Sequence, residues 1–380
     1  MERLHFEQEH NIFRESFREF LQREVIPQQE QWERDGIVSR DAWRRAGEAG
    51  FLVPFADEKY GGAGCRDFRY DQVICEELSY INEAGLMFPL HSSLCAPYLD
   101  AFANDEQKDR WMPGIVSGEK ILAVAMTEPQ AGSDLAGMKT RAEDRGDHWL
   151  LNGSKVFISN GILCDLCIVA ARTDPANPHG MTLLIVEDGM PGFERGRRLK
   201  KMGMHSQDTA ELFFNDVQVP KANVLGEPGA GFYYLMQMLG KERLTLACSA
   251  VAGARAAYGL TKEYVLGRKA FGREIAKFQN TRFKLAEMKT EIDIGQVFVD
   301  RCVMDINAGR LGDDIAAEAK LWTTEMLGRV VDQCVQLHGG WGYMDEYPIS
   351  RMYTNARIQR IFAGTSEIMK EIIGRAEGLA

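Results

Sequence analysis

Three polar, glycine-containing segments carry side chains and backbone freedom that ligand chemistry needs and a plain core does not. The first is TEPQAGSD, residues 127–134, directly after the apolar run ILAVAM. Gly132 lets the backbone approach a ligand, and the local amides with the Thr127 and Ser133 hydroxyls form a donor set suited to an anion or a ring carbonyl. The second is QLHGGWGY, residues 336–343, where Gly339 and Gly340 open the backbone beside Gln336 and His338. A lone His next to a glycine pair is more often a capping or packing residue. The third is AGTSEI, residues 363–368, in which Thr365 suits a helix N-cap and Glu367 the first turn. Taken singly, each segment also reads as an ordinary turn or helix start. Cys164 and Cys167 have CxxC spacing, but they lead into the strand-like CIVAAR instead of opening a helix. No second pair follows at ligand spacing, so the two read as packing and no metal is expected.

The elements around these segments change character twice. Residues 1–120 read as helices: Phe13, Phe17, Phe20 and Leu21 recur at helical spacing, Pro27 stops the run, and the pattern returns over 67–79 after the loop EKYGGAGC. From 121 to 230 the runs ILAVAM, HWLLNG, SKVFIS, LCIVAA, MTLLIV and AELFFNDVQV are short, apolar or alternating, and bounded by turn formers. Strands without intervening helices predict an antiparallel barrel or sandwich, and Asn152-Gly153 predicts a hairpin turn within it. From 231 to 380 long periodic stretches over 231–268, 280–307, 315–338 and 365–377 predict a helical bundle. The fold class is thus α+β, with an N-terminal helical domain (1–120), a central β domain (121–230) and a C-terminal four-helix-bundle domain (231–380).

Hydrophobic residues make up 45% and charged residues 26% of the 380, the balance of a soluble globular protein. The net charge of −10 argues against a broad nucleic-acid surface, while leaving room for a small anion held by local donors. The chain contains no apolar run of about 18 residues, so no integral membrane association is expected. MERLHFEQEH lacks a signal-peptide layout and is too acidic for a transit peptide, which makes the cytoplasm the expected location. The eight cysteines then read as reduced and mostly buried.

The three segments, together with KVFISNG at 155–161, RKAFG at 268–272 and Gln279, occur in the order and spacing of the acyl-CoA dehydrogenase family. The resemblance covers essentially the whole chain. QLHGGWGYMDEYPI, KMGMHSQDTAELFF, GFYYLMQMLGKERL and GTSEIMKEII resemble its long-chain branch in particular. It implies FAD as cofactor, an acyl-CoA thioester of medium-to-long or branched chain as substrate, a trans-2-enoyl-CoA as product, an electron-transfer flavoprotein as acceptor, and a homotetramer. By the same resemblance Met126, Thr127 and Ser133 line the flavin ring, with Phe157, Ile158 and Ser159 packed beside it. Arg268, Phe271, Gln279, Gln336, Gly339 and Gly340 reach the FAD of a neighbouring subunit, while Thr365 and Glu367 contact its pyrophosphate and adenosine side. Ser133 and Arg243 resemble residues near the CoA moiety. The basic run RGRRLKK, 195–201, reads either as a solvated loop or as an attractor of CoA phosphates.

The chain departs from the commonest family pattern at the base. Many relatives carry a catalytic Glu just before GTS, where this chain has Ala363 followed by Gly364. Ala363 keeps the backbone N–H that polarises the thioester carbonyl but offers no proton acceptor. The long-chain and isovaleryl branches place the Glu on another helix, and that position is Glu242 here. It shares a helical face with Met238, Leu239, Thr245 and Leu246, where desolvation raises a carboxyl pKa toward that of a useful base. Its plain alternative is a surface pairing with Lys241 or an Arg. Two other functions fit the scaffold: a flavin oxidase or monooxygenase, and a flavin-binding scaffold without catalysis, for which the empty Ala363 position argues.

Overall fold

In a computed structural model describing residues 3–379, the chain opens with six helices. These are α1 (Gln8–Phe20), α2 (Gln29–Asp35), α3 (Arg40–Glu48), α4 (Phe68–Tyr80), α5 (Ala96–Phe102) and α6 (Asp105–Val116). The spacing of Phe13, Phe17 and Phe20 puts all three rings on one side of α1, where they surround Phe51 at centroid distances of 4.9–5.6 Å. Beyond Phe20 a π-helical turn (Leu21–Val25) and a 3₁₀ turn carrying Pro27 end the run. A second π-helical turn, Pro89–Cys95, leads into α5.

Eight strands follow in one sheet: β1 (Leu122–Ala125), β2 (Arg141–Asp144), β3 (His148–Ser159), β4 (Leu166–Arg172), β5 (Met181–Glu187), β6 (Phe193–Arg198), β7 (Thr209–Pro220) and β8 (Val224–Leu225). The spatial order is β6-β7-β3-β2-β4-β5-β8, with β1 also alongside β4. β4 is apolar from Leu166 to Ala171 because both its faces are covered there. Leu166, Ile168 and Ala170 face the N-terminal helices, and Cys167, Val169 and Ala171 face a second core with Trp149, Leu212 and Phe214. Cys164 and Cys167 are buried in that second core, as their packing role requires.

Two expectations for this sheet need correction. The pairing is not wholly antiparallel: β1 runs parallel to β4 over Leu122–Ala125, and β2 meets β4 in parallel at Arg141 and Arg172. These neighbours are separated in sequence by β3 and its flanking loops, and only strands joined by a tight turn are obliged to run antiparallel. Asn152-Gly153 forms no hairpin. It lies inside the continuous β3 at a register shift against β7, and the real turn between β2 and β3 is Arg145–Asp147. Gly153 has φ +148°, and a Cβ there would meet the Thr140 side chain at 2.4 Å. Asn152 instead bonds across to Asp216 through both its amide nitrogen and its oxygen (2.9 and 3.0 Å). Tertiary pairing has overridden a local turn signal.

The C-terminal part comprises α7 (Gly231–Gly267), a small hairpin of β9 (Lys269–Ala270) and β10 (Arg273–Glu274), then α8 (Gln279–Asn307), α9 (Asp313–His338), α10 (Pro348–Ala356) and α11 (Ser366–Ala376). α7, about 55 Å long at 1.5 Å per residue, packs against α9 and α8 and also against α4 of the N-terminal part. Helix α10 escaped the sequence reading, although Pro348 at its first turn and apolar Ile349, Met352 and Ala356 on one side are a recognisable signature.

One buried contact ties the helices to the sheet. The His91 imidazole takes the Leu122 amide proton at Nδ1 (3.1 Å), so its Nε2 is the protonated nitrogen and donates to Ile115 O (3.0 Å). Burial pushes its pKa down to about 4, so the ring stays neutral and β1 keeps its anchor at ordinary pH.

Candidate active site

A cavity of about 270 Å³ lies where α4, β1, β3, α7, α9 and α10 meet. Its walls include Met126 and Thr127 just past β1, Phe157, Ile158 and Ser159 at the end of β3, Glu242 on α7, and Ala363 ahead of α11. Seven residues singled out from the sequence, drawn from four separate motifs, therefore share one chamber.

Glu242 is 2% exposed, which rules out the surface pairing. Lys241 points elsewhere, toward Asp71 at 3.6 Å and the Phe55 and Phe68 rings. Tyr98, from α5, donates its hydroxyl to Glu242 Oε1 at 3.2 Å. Burial pushes the Glu242 carboxyl up to about 7, and the Tyr98 hydroxyl and the Arg243 cation pull in the other direction. A carboxyl poised there is deprotonated in a large fraction of molecules at neutral pH and is still basic enough to take a proton. Tyr98 stabilises the ionised form, so Tyr98→Phe should raise the Glu242 pKa by about one unit, as expected for a lost hydrogen bond to a charge. Titration of the Glu242 carboxyl followed by infrared difference spectroscopy from about pH 5 to 9 tests this.

Ala363 has φ +49°, a left-handed backbone that a non-glycine residue adopts at a cost of about 1–3 kcal/mol. The amides of Ile361 and Phe362 both bond to Ile358 O, whereas among the described residues no acceptor takes the Ala363 N–H. The turn is held from below by Lys320 of α9, whose buried ammonium donates to Gly364 O. Burial and the nearby Arg243 cation push the Lys320 pKa down to about 8. Thr365 caps α11, its hydroxyl accepting from the Ile368 amide (3.3 Å), and Glu367 is exposed in the first turn.

Phe157 is also left-handed, with φ +62°, and is 67% exposed against the chamber. An exposed aromatic ring on such a backbone offers an open face for stacking. The segment opposite is fixed by an ion pair: Lys155 Nζ donates to Glu128 Oε1 (2.9 Å) and to Met126 O (3.0 Å). Glu128 also accepts the amides of Lys139 (2.6 Å) and Thr140 (2.9 Å). Tyr98 and Lys320 lie in no motif of the sequence, and Lys155 and Glu128, though inside KVFISNG and TEPQAGSD, were not singled out, because nothing local shows which residue positions another.

The remaining candidates lie outside the chamber. Ser133 is exposed on the loop beyond Ala131. Arg268, Gln336, Gly339 and Gly340 line a separate, open cleft of about 520 Å³. Phe271 (96% exposed) and Gln279 stand at the surface near it. His338 proves to be a packing residue: it stacks on Tyr264 at 4.2 Å, and its Nδ1 bonds Cys334 O at 2.8 Å. Arg243 is 6% exposed, 3.8 Å from Asp313, and makes no hydrogen bond among the described residues. The basic run is tied to its own chain, Arg195 by Gly161 O, Cys164 O and Asp188, and Arg198 by Asp35 O.

Three family models cover nearly the whole chain: acyl-CoA dehydrogenase N-terminal domain (7–119), middle domain (123–217) and C-terminal domain (229–378). The chain belongs to the acyl-CoA dehydrogenase family. It is 50% identical over 375 residues to the mitochondrial long-chain specific acyl-CoA dehydrogenase of Rattus norvegicus, covering 97% of this chain and 86% of that one. The crystal structure of an acyl-CoA dehydrogenase from Geobacillus kaustophilus superposes with a TM-score of 0.97 at 48% identity, over 99% of this chain and all of that one. A glutaryl-CoA dehydrogenase from Mycobacterium smegmatis, solved in complex with FADH2, matches with a TM-score of 0.90 at 26% identity, covering 98% and 95% of the two chains. As a member of this family the chain is an oxidoreductase acting on acyl-CoA. No helix among the described residues is long and apolar enough to cross a membrane. The rat relative is named as mitochondrial, so the comparison lends no support to the expected cytoplasmic location.

Proposed function

We propose that this acyl-CoA dehydrogenase family member binds FAD and converts a medium-to-long or branched acyl-CoA into the trans-2-enoyl-CoA, with Glu242 as the base that removes the α-proton. The observation that carries the reading is the buried Glu242, its pKa raised to about 7, in one chamber with the free Ala363 amide and the exposed face of Phe157.

The residues present fit FAD. Phe157 offers an uncovered ring, Thr127 and Ser159 offer hydroxyls, and an added Cβ at Gly132, Gly339 or Gly340 would meet open space. When bound, FAD supplies the acceptor for the β-hydride. The chain's own residues do the rest. Ala363 N–H donates to the thioester oxygen, which stabilises the charge that develops as the α-proton leaves. Glu242 takes that proton, and its carboxylate requires pH near or above 7. Lys320 holds the Gly364 carbonyl, and through it the turn that aims the amide. Lys155 and Glu128 hold the Met126–Thr127 wall. Apolar walls from Leu78, Leu86, Met87 and Leu90 exclude water from the acyl chain.

Arg268, Gln336, Gly339 and Gly340 lie in their own cleft, away from the chamber, which suits the reading that they serve the FAD of another subunit in a homotetramer. An electron-transfer flavoprotein is the proposed acceptor, by family likeness. The test is anaerobic addition of straight and branched acyl-CoAs to the purified yellow protein. Bleaching of the oxidised flavin band is expected, and a flavin that no acyl-CoA bleaches overturns the reading. Rapid reoxidation by air with release of peroxide would reassign it to the oxidases.

A further inference from the structure

Five residues of α7 line the chamber: Glu242, Thr245, Leu246, Ser249 and Gly253. Their spacing of three, one, three and four residues keeps them on one helical face, and three turns carry that face about 16 Å from the base. The cavity thus runs along α7, flanked by Cys75 and Leu78 of α4, Leu327 and Val331 of α9, and Met352 of α10.

The hydroxyls along this path are already satisfied. Thr245 donates to Lys241 O (2.9 Å), Ser249 to Thr245 O (3.3 Å) and Ser79 to Cys75 O (2.7 Å), each to the carbonyl four residues back in its own helix. These three hydroxyls are spent within their own helices and are not free to donate to a polar substituent. Gly253 at the far end is unexpected on local grounds, because glycine inside a long helix is disfavoured against alanine. Packing does not demand it either: a Cβ there would meet only the Leu327 methyls, Cδ1 at 3.6 Å and Cδ2 at 4.0 Å, both ordinary contacts. What glycine leaves behind is room in the cavity.

We propose that Gly253 sets the chain-length limit of the site, its missing side chain keeping the far end open for the unsubstituted alkyl tail of a long straight-chain acyl thioester. The inference rests on the acyl-CoA dehydrogenase reading and adds to it the length and polarity of the substrate tail. Leucine at this position would bring four carbons into the space. Each methylene displaced from an apolar site lowers affinity about fourfold, so loss of three or four amounts to roughly 10²-fold.

The experiment compares wild type, Gly253→Leu and Gly253→Ala for reduction by butyryl-, octanoyl- and palmitoyl-CoA. The ratio of kcat/KM for palmitoyl-CoA to that for butyryl-CoA should fall roughly 10²-fold in Gly253→Leu and about fourfold in Gly253→Ala. The alanine variant favours the helix and tests the idea even where the leucine variant does not fold. Equal losses at every length, or an unchanged ratio, overturn the proposal while leaving the underlying function standing. A wild-type protein that no acyl-CoA reduces overturns both.

Discussion

Glu242→Gln should retain bound FAD while its reduction by acyl-CoA falls by at least ~10²–10⁴-fold, the range a general base contributes. Gln fills the same space and accepts the Tyr98 hydrogen bond, so the change isolates the loss of a proton acceptor. Stopped-flow reduction under anaerobic conditions measures it, and an undiminished rate would remove Glu242 from the reaction. The same variant carries a stability signature of opposite sign. The folded-state pKa of Glu242 is raised to about 7 from 4.5. Its contribution to stability is therefore fully present below pH 4.5 and lost as the pH rises through about 7. Gln does not titrate, so the variant gains on wild type across that window, by at most ~3 kcal/mol above it. Less activity with more stability is the pattern of a charge kept buried for use.

Lys155→Met should have the largest structural effect of any single change around the chamber. Lys155 and Glu128 have side chains 0% and 1% exposed, and the substitution leaves the carboxylate without its counter-charge. Although burial opposes it, Lys155 with the Thr140 and Lys139 partners holds the Glu128 carboxyl below its ordinary pKa, so the carboxylate is charged; burial pulls the Lys155 pKa down and the Glu128 charge opposes that fall. Breaking one side of such a pair costs about 3–5 kcal/mol. Lys155 also holds Met126 O, so FAD retention should fall along with the unfolding temperature. Thermal unfolding followed by far-ultraviolet dichroism and by flavin fluorescence reads both effects. Adding Glu128→Gln to Lys155→Met should recover part of the loss, because the orphaned charge is then removed. A single variant that melts with wild type would show that the pair does not hold this wall.

The features legible in the sequence were those written locally. The order helices, strands, helices follows from hydrophobic periodicity, and the chamber residues Met126, Thr127, Phe157, Ile158, Ser159 and Ala363 sit in glycine-bearing or strand-end segments with recognisable spacing. The position of Glu242 came from the resemblance to the long-chain and isovaleryl branches, once Ala363 left the commoner base position empty; the apolar stripe on its helix agreed with it but would not have singled it out. Features set by distant partners stayed hidden. Tyr98 lies 144 residues from the carboxyl it serves. Lys320 looks like any helical lysine until the fold brings Gly364 O to it. Asn152-Gly153 has the composition of a hairpin, yet its pairing with β7 decides otherwise, and the parallel partner of β1 lies more than forty residues on.

The chamber's walls come from α4 and the loop after it, from β1 and β3, and from α7, α9 and α10. No one of these regions closes it alone. An alkyl chain seated there serves as core material for all of them, and its release turns an apolar face of each toward a void. Occupancy and cohesion are then two expressions of one free energy. A ligand at a hundred times its Kd adds ~2.7 kcal/mol to the assembled state. On the proposed reading the protein is accordingly least stable when its substrate runs short, and its unfolding temperature should rise as acyl-CoA is added.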